Sequence, residues 1–354
     1  MRVIEVGVVK GNGIGPEITA ASLLVLEATG LPLRWVPIPI AEEAIAAYGH
    51  PLAPEVVRQL KAVKVTLKAP LLVEKQHGRL TCTHEDGSEI TYPSLNNAIR
   101  RELGLFVNPR RIRGFPTISG AHENTDVAIM REITEDVYVG WEHRIGEDAA
   151  EAIKLTTRHA STRVARYAFD YARTAGRRRV SSVHKANVLN YTDGLFLDCC
   201  RCVAADYPDI AFDDYMIDAA CFLFVRHPDR LDVVVTANQY GDILSDLGAG
   251  LIGSLGLAPG ANIGESAAVF EASHGAAPDI AGKGIANPVA LILSGAELLA
   301  HLGYRREADA VTDAARAAVG VDAVRTPDLG GEARTMDVAE AIARGVRERM
   351  QEAP

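Results

Sequence analysis

The sequence predicts an α/β fold with a largely parallel sheet. Residues 2–9 have the short apolar composition of a β-strand, and residues 16–29 continue after a glycine turn with the pattern of a helix. Further apolar runs rich in β-branched residues, separated by helical patterns, occupy residues 63–67, 127–130, 180–183 and 231–236. Short apolar strands that alternate with helices are typical of parallel sheets covered by helices on both faces.

Helical periodicity recurs along all 354 residues. This length exceeds that of a typical single domain, so we expect two lobes. Helices are predicted at residues 54–62, 94–104, 160–175, 191–206, 239–254, 288–301, 305–318 and 336–350. Residues 74–93 are polar and rich in turn formers, which predicts a functional or mobile loop. Residues 138–158 could form strands or an arm.

Composition argues against several classes of protein. The net charge of -9 disfavours a surface dedicated to nucleic acid or to an anionic membrane. The sequence has neither a signal-peptide pattern nor a window of about 18 uninterrupted apolar residues, so a cytoplasmic protein is expected. The cysteines lack the ligand spacing of a zinc site. We therefore expect buried or half-buried thiols at Cys82, Cys199, Cys200, Cys202 and Cys221.

A glycine-rich turn, GNGIGPE, covers residues 11–17 and joins the first strand to the first helix. Its glycines permit positive φ angles and a close approach of the backbone to a ligand. The spacing is GxGxG followed by proline, whereas the dinucleotide-binding fingerprint is GxGxxG. Taken alone, the turn is either a tight strand-to-helix connection or a loop beside a cofactor.

Two aspartates share one face of a predicted helix. Asp242 and Asp246 stand at positions i and i+4, so their carboxylates project from the same side near the start of the helix. Two like charges there are unfavourable unless a cation neutralises them, and hard oxygen ligands select Mg²⁺ or Mn²⁺. A solvated acidic face is the alternative, although the neighbouring residues are largely apolar. Asp218, which we expect to close an apolar strand, could supply a third carboxylate.

Acid–base candidates follow other predicted strands. Lys185 stands at a strand end before a helix, and a lysine held near cations suits proton transfer. Arg131 and Tyr138 are expected on a strand and in the turn after it, where the tyrosine could return a proton to an enolate carbon. On composition alone, these positions would be a surface lysine and a core tyrosine.

The segment SLNNAIRRELGLFVNPRRIRG combines polar and basic side chains. It carries Ser94, Asn96 and Arg100 on about two turns of helix and then Arg110 after a strand. With Arg131, these arginines make a set of planar guanidinium groups suited to binding several carboxylates. A solvated basic helix would explain this segment equally well.

Six motifs in a fixed order resemble the isocitrate and isopropylmalate dehydrogenases, a family of metal-dependent β-decarboxylating enzymes. The motifs are GNGIGPE, SLNNAIR, MREITEDVY, HKANVLNYTDG, ANQYGDILSDLGAG and ASHGAAPDIAGKGIANP. The resemblance covers nearly the whole chain and is closest in pattern to NAD-dependent isocitrate dehydrogenase. It implies a two-lobe, isopropylmalate dehydrogenase-like α/β fold without a Rossmann domain. The first lobe is then discontinuous, with residues 1–107 and 257–354, and residues 108–256 form the dimerisation lobe.

The resemblance also implies a role for each candidate residue. Tyr138 and Lys185 match the family's acid–base pair. Asp218, Asp242 and Asp246 match its metal ligands, with Lys185 and Asp218 supplied across a homodimer interface. The substrate-binding residues are then Ser94, Asn96, Arg100, Arg110 and Arg131. The cofactor-binding residues are His274, Gly275, Ala277, Asp279, Ile280 and Asn287, and Asp279 favours NAD because it would repel a 2′-phosphate.

Substrate choice depends on a few positions. Ser94 and Asn96 match the isocitrate pattern, in which they contact the distal carboxylate, whereas isopropylmalate enzymes carry apolar residues there. The sequence LLVEK after Pro70, the longer loop that follows it, and Ile133 in place of an asparagine depart from that pattern. A phosphonate-bearing analogue or homoisocitrate is therefore an alternative substrate. Isopropylmalate, tartrate and malate types, and a non-catalytic regulatory subunit, are further alternatives.

Overall fold

The computed structural model describes residues 3–72, 79–84, 87–118 and 122–352. Its strands are β1 Ile4–Val9, β2 Leu33–Pro37, β3 Val65–Lys68, β4 Leu80–Thr83, β5 Glu89–Tyr92, β6 Leu105–Arg113, β7 Asp126–Glu132, β8 Glu142–Ile145, β9 Ala149–Ala152, β10 Arg179–His184, β11 Ala211–Met216, β12 Val233–Thr236, β13 Pro259–Gly264 and β14 Ala268–Ala272. Its α-helices are α1 Gly15–Glu27, α2 Glu42–Tyr48, α3 Pro54–Val63, α4 Leu95–Glu102, α5 Arg158–Thr174, α6 Thr192–Ala204, α7 Ile217–Arg226, α8 Asn238–Leu251, α9 Val289–His301, α10 Arg305–Arg316 and α11 Thr335–Glu352. Short 3₁₀ helices cover Val137–Val139, Pro228–Arg230, Leu255–Leu257 and Pro327–Leu329, and a π-helical turn covers Ala317–Val321.

Ten of the described strands form one sheet, in the order β11-β10-β12-β7-β6-β13-β14-β3-β1-β2. The strands β11, β10, β12 and β7 pair in parallel, and so do β14, β3, β1 and β2. Between these two groups, each of the pairs β7–β6, β6–β13 and β13–β14 is antiparallel. Three reversals therefore separate the groups, and the two groups of parallel strands run in opposite directions. The α/β architecture with much parallel sheet is as predicted.

Helices cover the sheet because its central strands are apolar on both faces. Strands β3 and β12 are buried at every position. Helix α9, which is apolar almost throughout, packs on β13, β14, α1 and α10, while α5 packs on β6, β7 and β12. A second, smaller apolar cluster lies beneath α4 and includes Leu60, Tyr92, Leu95 and Ile133. No helix in the described part of the chain is long and apolar enough to cross a membrane.

Most predicted elements agree with the structure apart from shifts of a few residues at their ends, but two candidate residues lie in different elements. Asp218 does not close a strand; it lies in the first turn of α7, because the strand ends at Met216 and the apolar run continues with helical periodicity. Arg110 does not follow a strand; it lies inside β6, where polar partners compensate the burial of its charge.

The two irregular segments contain hairpins. Strands β4 and β5 pair within the segment 74–93 that was predicted to be a loop, while residues 74–78, 85 and 86 of that segment lie outside the described residues. Strands β8 and β9 pair within residues 138–158, which is the strand alternative for that segment. Polar and apolar residues alternate in LTCT and in EITY, and the residues between these strands include a DG pair, a combination that favours a hairpin.

Candidate active site

A row of buried polar side chains crosses the middle of the sheet. Lys68 on β3 is in register with Glu271 on β14, and Asn108 on β6 is in register with Arg131 on β7. Asn262 on β13 lies between them, donating to Glu271 Oε1 at 2.7 Å and accepting from Asn108 Nδ2 at 3.2 Å. Lys68 donates to Glu271. Residues in register share a face of the sheet, so the order of the strands brings these side chains together. Lys68, Asn108, Asn262 and Glu271 are called here the floor of the site.

These floor residues belong to none of the motifs predicted from the sequence. A charged residue inside an otherwise apolar strand, as in VTLK and AVFEA, is a usable signal, because a buried charge requires a partner. Burial tends to raise the pKa of Glu271, but the charges of Lys68 and Arg100 dominate and lower it to about 2. The carboxylate is therefore ionised at neutral pH and offers a fixed negative charge to the arginines.

Two of the predicted substrate arginines stand on this floor. Arg100 Nε, from α4, donates to Asn262 Oδ1 at 3.1 Å. Arg110 Nε donates to Asn108 Oδ1 at 2.7 Å, and Arg110 Nη1 donates to Ser245 Oγ on α8 at 2.5 Å. Each arginine is less than a tenth exposed. Neutral acceptors thus fix the Nε atom of each arginine, while the terminal nitrogens also face carboxylates, with Arg100 Nη2 3.8 Å from Glu271 and Arg110 Nη1 3.3 Å from Asp246.

The third arginine joins the catalytic candidates. Arg131 donates Nε and Nη2 to Asn238 Oδ1 at 3.0 and 2.7 Å, and Nη1 to Asp242 Oδ1. Arg110 Nη2 lies 3.6 Å from the same Asp242 oxygen. Tyr138 donates its hydroxyl to the other oxygen, Asp242 Oδ2, at 2.5 Å. Arg110, Arg131, Tyr138 and Asp242 therefore form one contact group, called here the Asp242 cluster.

Charge and burial fix the protonation states in the Asp242 cluster. Burial raises the pKa of Tyr138 to about 12, with a further contribution from its hydrogen bond to Asp242. Burial also tends to raise the pKa of Asp242, but the charge of Arg131, the Tyr138 hydrogen bond and the charge of Arg110 outweigh it, and the net pKa is lowered. At neutral pH the site thus presents a carboxylate and a protonated phenol able to donate.

The predicted metal ligands fall into two places. Asp246 lies one turn after Asp242 on α8, with its carboxylate 3.3 Å from Arg110 and 57% exposed. Burial raises the pKa of Asp246, and Arg110 partly opposes this. No group of three or more His, Cys, Asp or Glu side chains that could hold a metal occurs in the described residues. Two hard oxygen donors on one helix face fit a divalent cation that takes further ligands from outside this chain.

Lys185 and Asp218 form a separate pair. Lys185 Nζ donates to Asp218 Oδ1 at 2.5 Å, and this hydrogen bond lowers the pKa of Asp218. The Asp218 side chain is 69% exposed. Within the described parts of the chain, no hydrogen bond or ion pair joins this pair to the Asp242 cluster. A single chain therefore brings together Arg131, Tyr138 and Asp242 but leaves Lys185 and Asp218 apart from them.

A buried ion triad links these two groups, and sequence reasoning missed it. Lys154 Nζ lies 2.8 Å from Asp136 Oδ1 and 3.4 Å from Asp193 Oδ1. Asp136 accepts from the backbone of Val137 at 2.7 Å, at the start of the 3₁₀ helix that carries Tyr138. Asp193 accepts from the backbone of Lys185 at 2.7 Å. Because the three residues come from separate elements, no local spacing reveals the triad.

The predicted cofactor residues follow β14. His274 Nδ1 lies 2.9 Å from Gly275 O, while the buried Nε2 has no hydrogen-bond partner among the described residues. Burial lowers the pKa of His274, which favours the neutral imidazole. Asn287 is 7% exposed and donates to Asp328 at 3.0 Å. A buried nitrogen without a partner, beside exposed Gly275 and Asp279, fits a polar ligand such as a nucleotide. Ala277 and Ile280 are half-buried in the same loop.

The glycine turn and the start of α1 contact the predicted cofactor loop. Ile14 N donates to Ala276 O at 2.9 Å, and a side-chain carbon at Gly13 would come within 2.2 Å of that oxygen. Glu17, in the first turn of α1, accepts from the backbone of Gly284 at 3.0 Å. The turn is therefore a tight connection that also lies beside the predicted cofactor loop.

Ser94 and Asn96 are at the N-terminus of α4. Ser94 caps the helix by accepting from Asn97 N at 3.2 Å, and both Ser94 and Asn96 are exposed. Ile133 is only 3% exposed and packs in the apolar cluster beneath α4. It can therefore influence a ligand through the position of α4, whereas Ser94 and Asn96 are free to contact one.

Comparisons with known proteins agree with this geometry. The family model described as isocitrate/isopropylmalate dehydrogenase matches residues 5–342. A 3-isopropylmalate dehydrogenase from Archaeoglobus fulgidus is 43% identical over 96% of this chain and 98% of its own length. The mitochondrial catalytic subunit 5 of isocitrate dehydrogenase [NAD] from Arabidopsis thaliana is 42% identical over 94% of this chain and 86% of its own.

A solved structure is similar over nearly its full length. The crystal structure of isocitrate dehydrogenase from Methylococcus capsulatus superposes with a TM-score of 0.89 at 43% identity, covering 97% of this chain and 99% of that one. Family model, relatives and fold thus agree from one end of the chain to the other. The chain belongs to the isocitrate/isopropylmalate dehydrogenase family.

Proposed function

We propose that this chain is an NAD-dependent dehydrogenase that oxidises and decarboxylates an isocitrate-type 2-hydroxy acid with the help of Mg²⁺ or Mn²⁺. The observation that carries the proposal is the convergence of Arg110, Arg131 and Tyr138 on Asp242. This group joins carboxylate-binding guanidinium groups, a proton donor and a cation ligand within one site. The names of the relatives, which are isopropylmalate and isocitrate dehydrogenases, support the class of reaction.

The start of α4 supports a substrate with a distal anionic group. The Ser94 oxygen already accepts from the backbone of Asn97, so its hydroxyl proton is available to a ligand. Exposed Ser94 and Asn96 lie where backbone N–H groups and the helix dipole favour negative charge. Arg100, two turns into the same helix, adds a positive charge. Isocitrate, with its third carboxylate, fits this set better than a substrate with a branched alkyl tail.

The chain's own residues account for substrate binding and proton transfer. Arg100, Arg110 and Arg131 would bind and orient the carboxylates of the 2-hydroxy acid. Lys185 of a second copy would accept the proton of the hydroxyl group, and Tyr138 would give its proton to the carbon that loses CO₂. A divalent cation bound at Asp242 and Asp246 supplies Lewis acidity, and bound NAD supplies a hydride acceptor.

Asp279 supports NAD over NADP. Its carboxylate is exposed in the loop that follows β14, five residues after His274. A carboxylate there can accept hydrogen bonds from the ribose diol of NAD and repels the 2′-phosphate of NADP. His274 Nε2, which has no hydrogen-bond partner among the described residues, is available to the same nucleotide.

A homodimer with shared sites is proposed to complete the machinery. Large apolar side chains are exposed on α7, on α8 and in the segment between β10 and α6, near Lys185 and Asp218. They are Val188, Leu189, Tyr191, Phe222, Val225 and Ile243. A second copy that covers this surface would bring Lys185 and Asp218 to the other chain's Asp242 cluster. We expect residues 108–256 to make these contacts and residues 1–107 with 257–354 to form the other lobe.

A modified isocitrate analogue is the second candidate substrate. The β4–β5 hairpin is fixed to α4, since Tyr92 donates to Glu102 at 2.7 Å and His84 Nε2 lies 3.4 Å from the same carboxylate. Because β5 ends at Tyr92, two residues before Ser94, the hairpin leads directly into the start of α4. This observation favours a longer or phosphonate-bearing tail over a smaller one.

The test is NADH formation with Mg²⁺ or Mn²⁺ over a panel of substrates. The panel contains isocitrate, a phosphonate analogue of isocitrate, homoisocitrate, isopropylmalate, tartrate and malate. Efficient turnover of isocitrate supports the first candidate, and preference for an analogue supports the second. Preference for isopropylmalate, tartrate or malate would reject the isocitrate-type pocket. No turnover of any of them would reject a catalytic role and leave the regulatory alternative.

A further inference from the structure

The backbone of the segment that carries Tyr138 accepts hydrogen bonds from side chains that are distant in sequence. Asn97 Nδ2, in the first turn of α4, donates to Tyr138 O at 3.3 Å. Arg79 Nη2, just before β4, donates to Gly140 O at 3.1 Å. Both donors belong to residues 79–97, which precede β6, whereas the acceptors follow β7. Two backbone carbonyls of the tyrosine segment are thus fixed by the hairpin and by the helix that carries Ser94 and Asn96.

A steric contact adds to the two hydrogen bonds. Gly140 ends the 3₁₀ helix with φ of +70°, and a side-chain carbon at this position would come within 2.6 Å of Pro93 Cγ. Pro93 stands between β5 and α4, so the glycine lets the segment pack directly on the start of the helix. A residue with a side chain would have to push the segment and α4 apart.

These contacts act on the part of the segment that the Lys154 triad does not hold. Asp136 fixes the start of the 3₁₀ helix through Val137 N at 2.7 Å. The Tyr138 hydroxyl is fixed at its far end by Asp242 at 2.5 Å. Between these points, Val139 N and Gly140 N donate only within the 3₁₀ turn, to Asp136 O and Val137 O. Arg79, Pro93 and Asn97 therefore supply contacts that hold this stretch from outside the turn.

We propose that Arg79, Pro93 and Asn97 form a latch that sets the position of Tyr138, so that the helix binding the substrate's distal group also aligns the proton donor. None of the three touches reacting atoms, so they are positioning residues. The inference rests on the proposed function, in which loss of CO₂ leaves its bonding electrons on the substrate as an enolate. Tyr138 O–H protonates that carbon, and the tyrosinate recovers a proton from solvent.

The latch predicts an effect on proton delivery rather than on binding. Asn97→Asp replaces the amide donor with a carboxylate that repels Tyr138 O, and Gly140→Ala introduces the clash with Pro93. Both variants should lower kcat about a hundredfold, because small misplacements of a catalytic group are costly. In Asn97→Asp, which leaves the arginines, Ser94 and the backbone of α4 in place, the KM for the 2-hydroxy acid should stay within about twofold. In Gly140→Ala the clash also pushes on the start of α4, so KM is expected to rise together with the fall in kcat.

The control variants reproduce the strain of a side chain at a positive-φ glycine and the effect of a substitution on α4, but they leave the latch intact. Gly176→Ala, at φ of +66° with nothing within 4 Å of the added carbon, matches the strain at Gly140 without the clash. Arg101→Ala lies on the exposed side of α4. Both controls should keep wild-type kcat. Should Gly140→Ala fail to fold, Asn97→Asp carries the test on its own.

The deciding readout is the stereochemistry of protonation. Turnover in D₂O by the wild type should place deuterium at one of the two positions of the product's new methylene group, as NMR can show. The latch variants should place deuterium at both positions, because solvent protonates from either side any enolate that Tyr138 does not protonate. Stereospecific product and wild-type kcat in Asn97→Asp would overturn the latch. Lack of turnover by the wild type would overturn the proposed function instead, and the latch with it.

Discussion

The Asp242 cluster and the Lys185–Asp218 pair both set cations against a carboxylate, but in different surroundings. The Arg131 side chain is 2% exposed and the Asp242 side chain 33%, whereas the Lys185 and Asp218 side chains are 29% and 69% exposed. Water screens an exposed ion pair, so the second pair contributes little to stability by itself. In the proposed shared site, a single chain would therefore hold one buried, prearranged half, the Asp242 cluster, and one exposed half, the Lys185–Asp218 pair, which a second chain would cover.

The largest effect is expected from the buried half. Asp242→Asn removes the negative charge that Arg131 and Tyr138 contact, together with one of the two carboxylates available to a cation. We expect kcat/KM to fall at least about a thousandfold, measured as NADH formation with the best substrate of the panel. Retained turnover would show that the Asp242 cluster is structural.

The control for this variant is an exposed ion pair. Asp206→Asn breaks the contact of Asp206 with Arg166, in which both side chains are about half exposed, at 54% and 53%. The loss of such a pair costs about 0–1 kcal/mol, so activity should stay within about twofold of wild type. A comparable loss of activity in both variants would mean that protein charge in general, rather than this site, controls turnover.

The triad between the two halves should produce the next largest effect. Lys154→Met leaves the carboxylates of Asp136 and Asp193, each 2% exposed, without their shared cation. Because these carboxylates hold the backbone at Val137 and Lys185, we expect kcat to fall about thirtyfold with little change in KM. Steady-state kinetics measure this, with exposed Lys61→Met on α3 as the control. Unchanged kcat together with a lower melting temperature would assign the triad a structural role only.

The floor of the buried half should affect stability and its dependence on pH. The pKa of Glu271 is lowered to about 2, below its unfolded value of about 4.3, so its stabilising contribution is present above about pH 4.3 and is lost as pH falls towards 2. Lys68→Met removes the charge that contributes most to the lowered pKa of Glu271. We expect a loss of about 3 kcal/mol at pH 7 that shrinks towards pH 4 as the orphaned carboxylate becomes protonated.

Denaturation by urea at pH 7 and at pH 4 would measure this difference. Lys64→Met, at an exposed lysine just before β3, is the control and should lose less than about 1 kcal/mol at either pH. A deficit in Lys68→Met that is the same at both values would show that lost packing, rather than the charge of Glu271, explains the change.

Sequence periodicity was sufficient to predict the α/β fold and most helices, because apolar spacing is a local property. The i, i+4 spacing likewise predicted that Asp242 and Asp246 share a face of α8. Sequence periodicity could not predict contacts that depend on the order of strands in the sheet. Lys68 and Glu271 lie 203 residues apart and meet only because β14 is beside β3. The apolar run around Asp218 fits both strand and helix, which is why its element was predicted wrongly.

The last prediction tests whether the two halves belong to different sites. Lys185→Met and Asp242→Asn should each be nearly inactive as homodimers. If sites are shared, a mixed dimer of the two variants gathers both substitutions in one site and leaves the other intact. Random mixing makes about half of the dimers mixed, so activity should recover to about a quarter of wild type.

The control mixture decides whether such recovery means shared sites. Asp242→Asn mixed with Asp246→Asn places both substitutions in the same half, so every site in every dimer carries one and no activity should return. Recovery in the first mixture alone would show that Lys185 acts on the partner's Asp242 cluster, and its exposure in a single chain would then reflect the missing subunit. Recovery in neither mixture would require Lys185 to act within its own chain, through a movement that brings the exposed pair to the buried cluster.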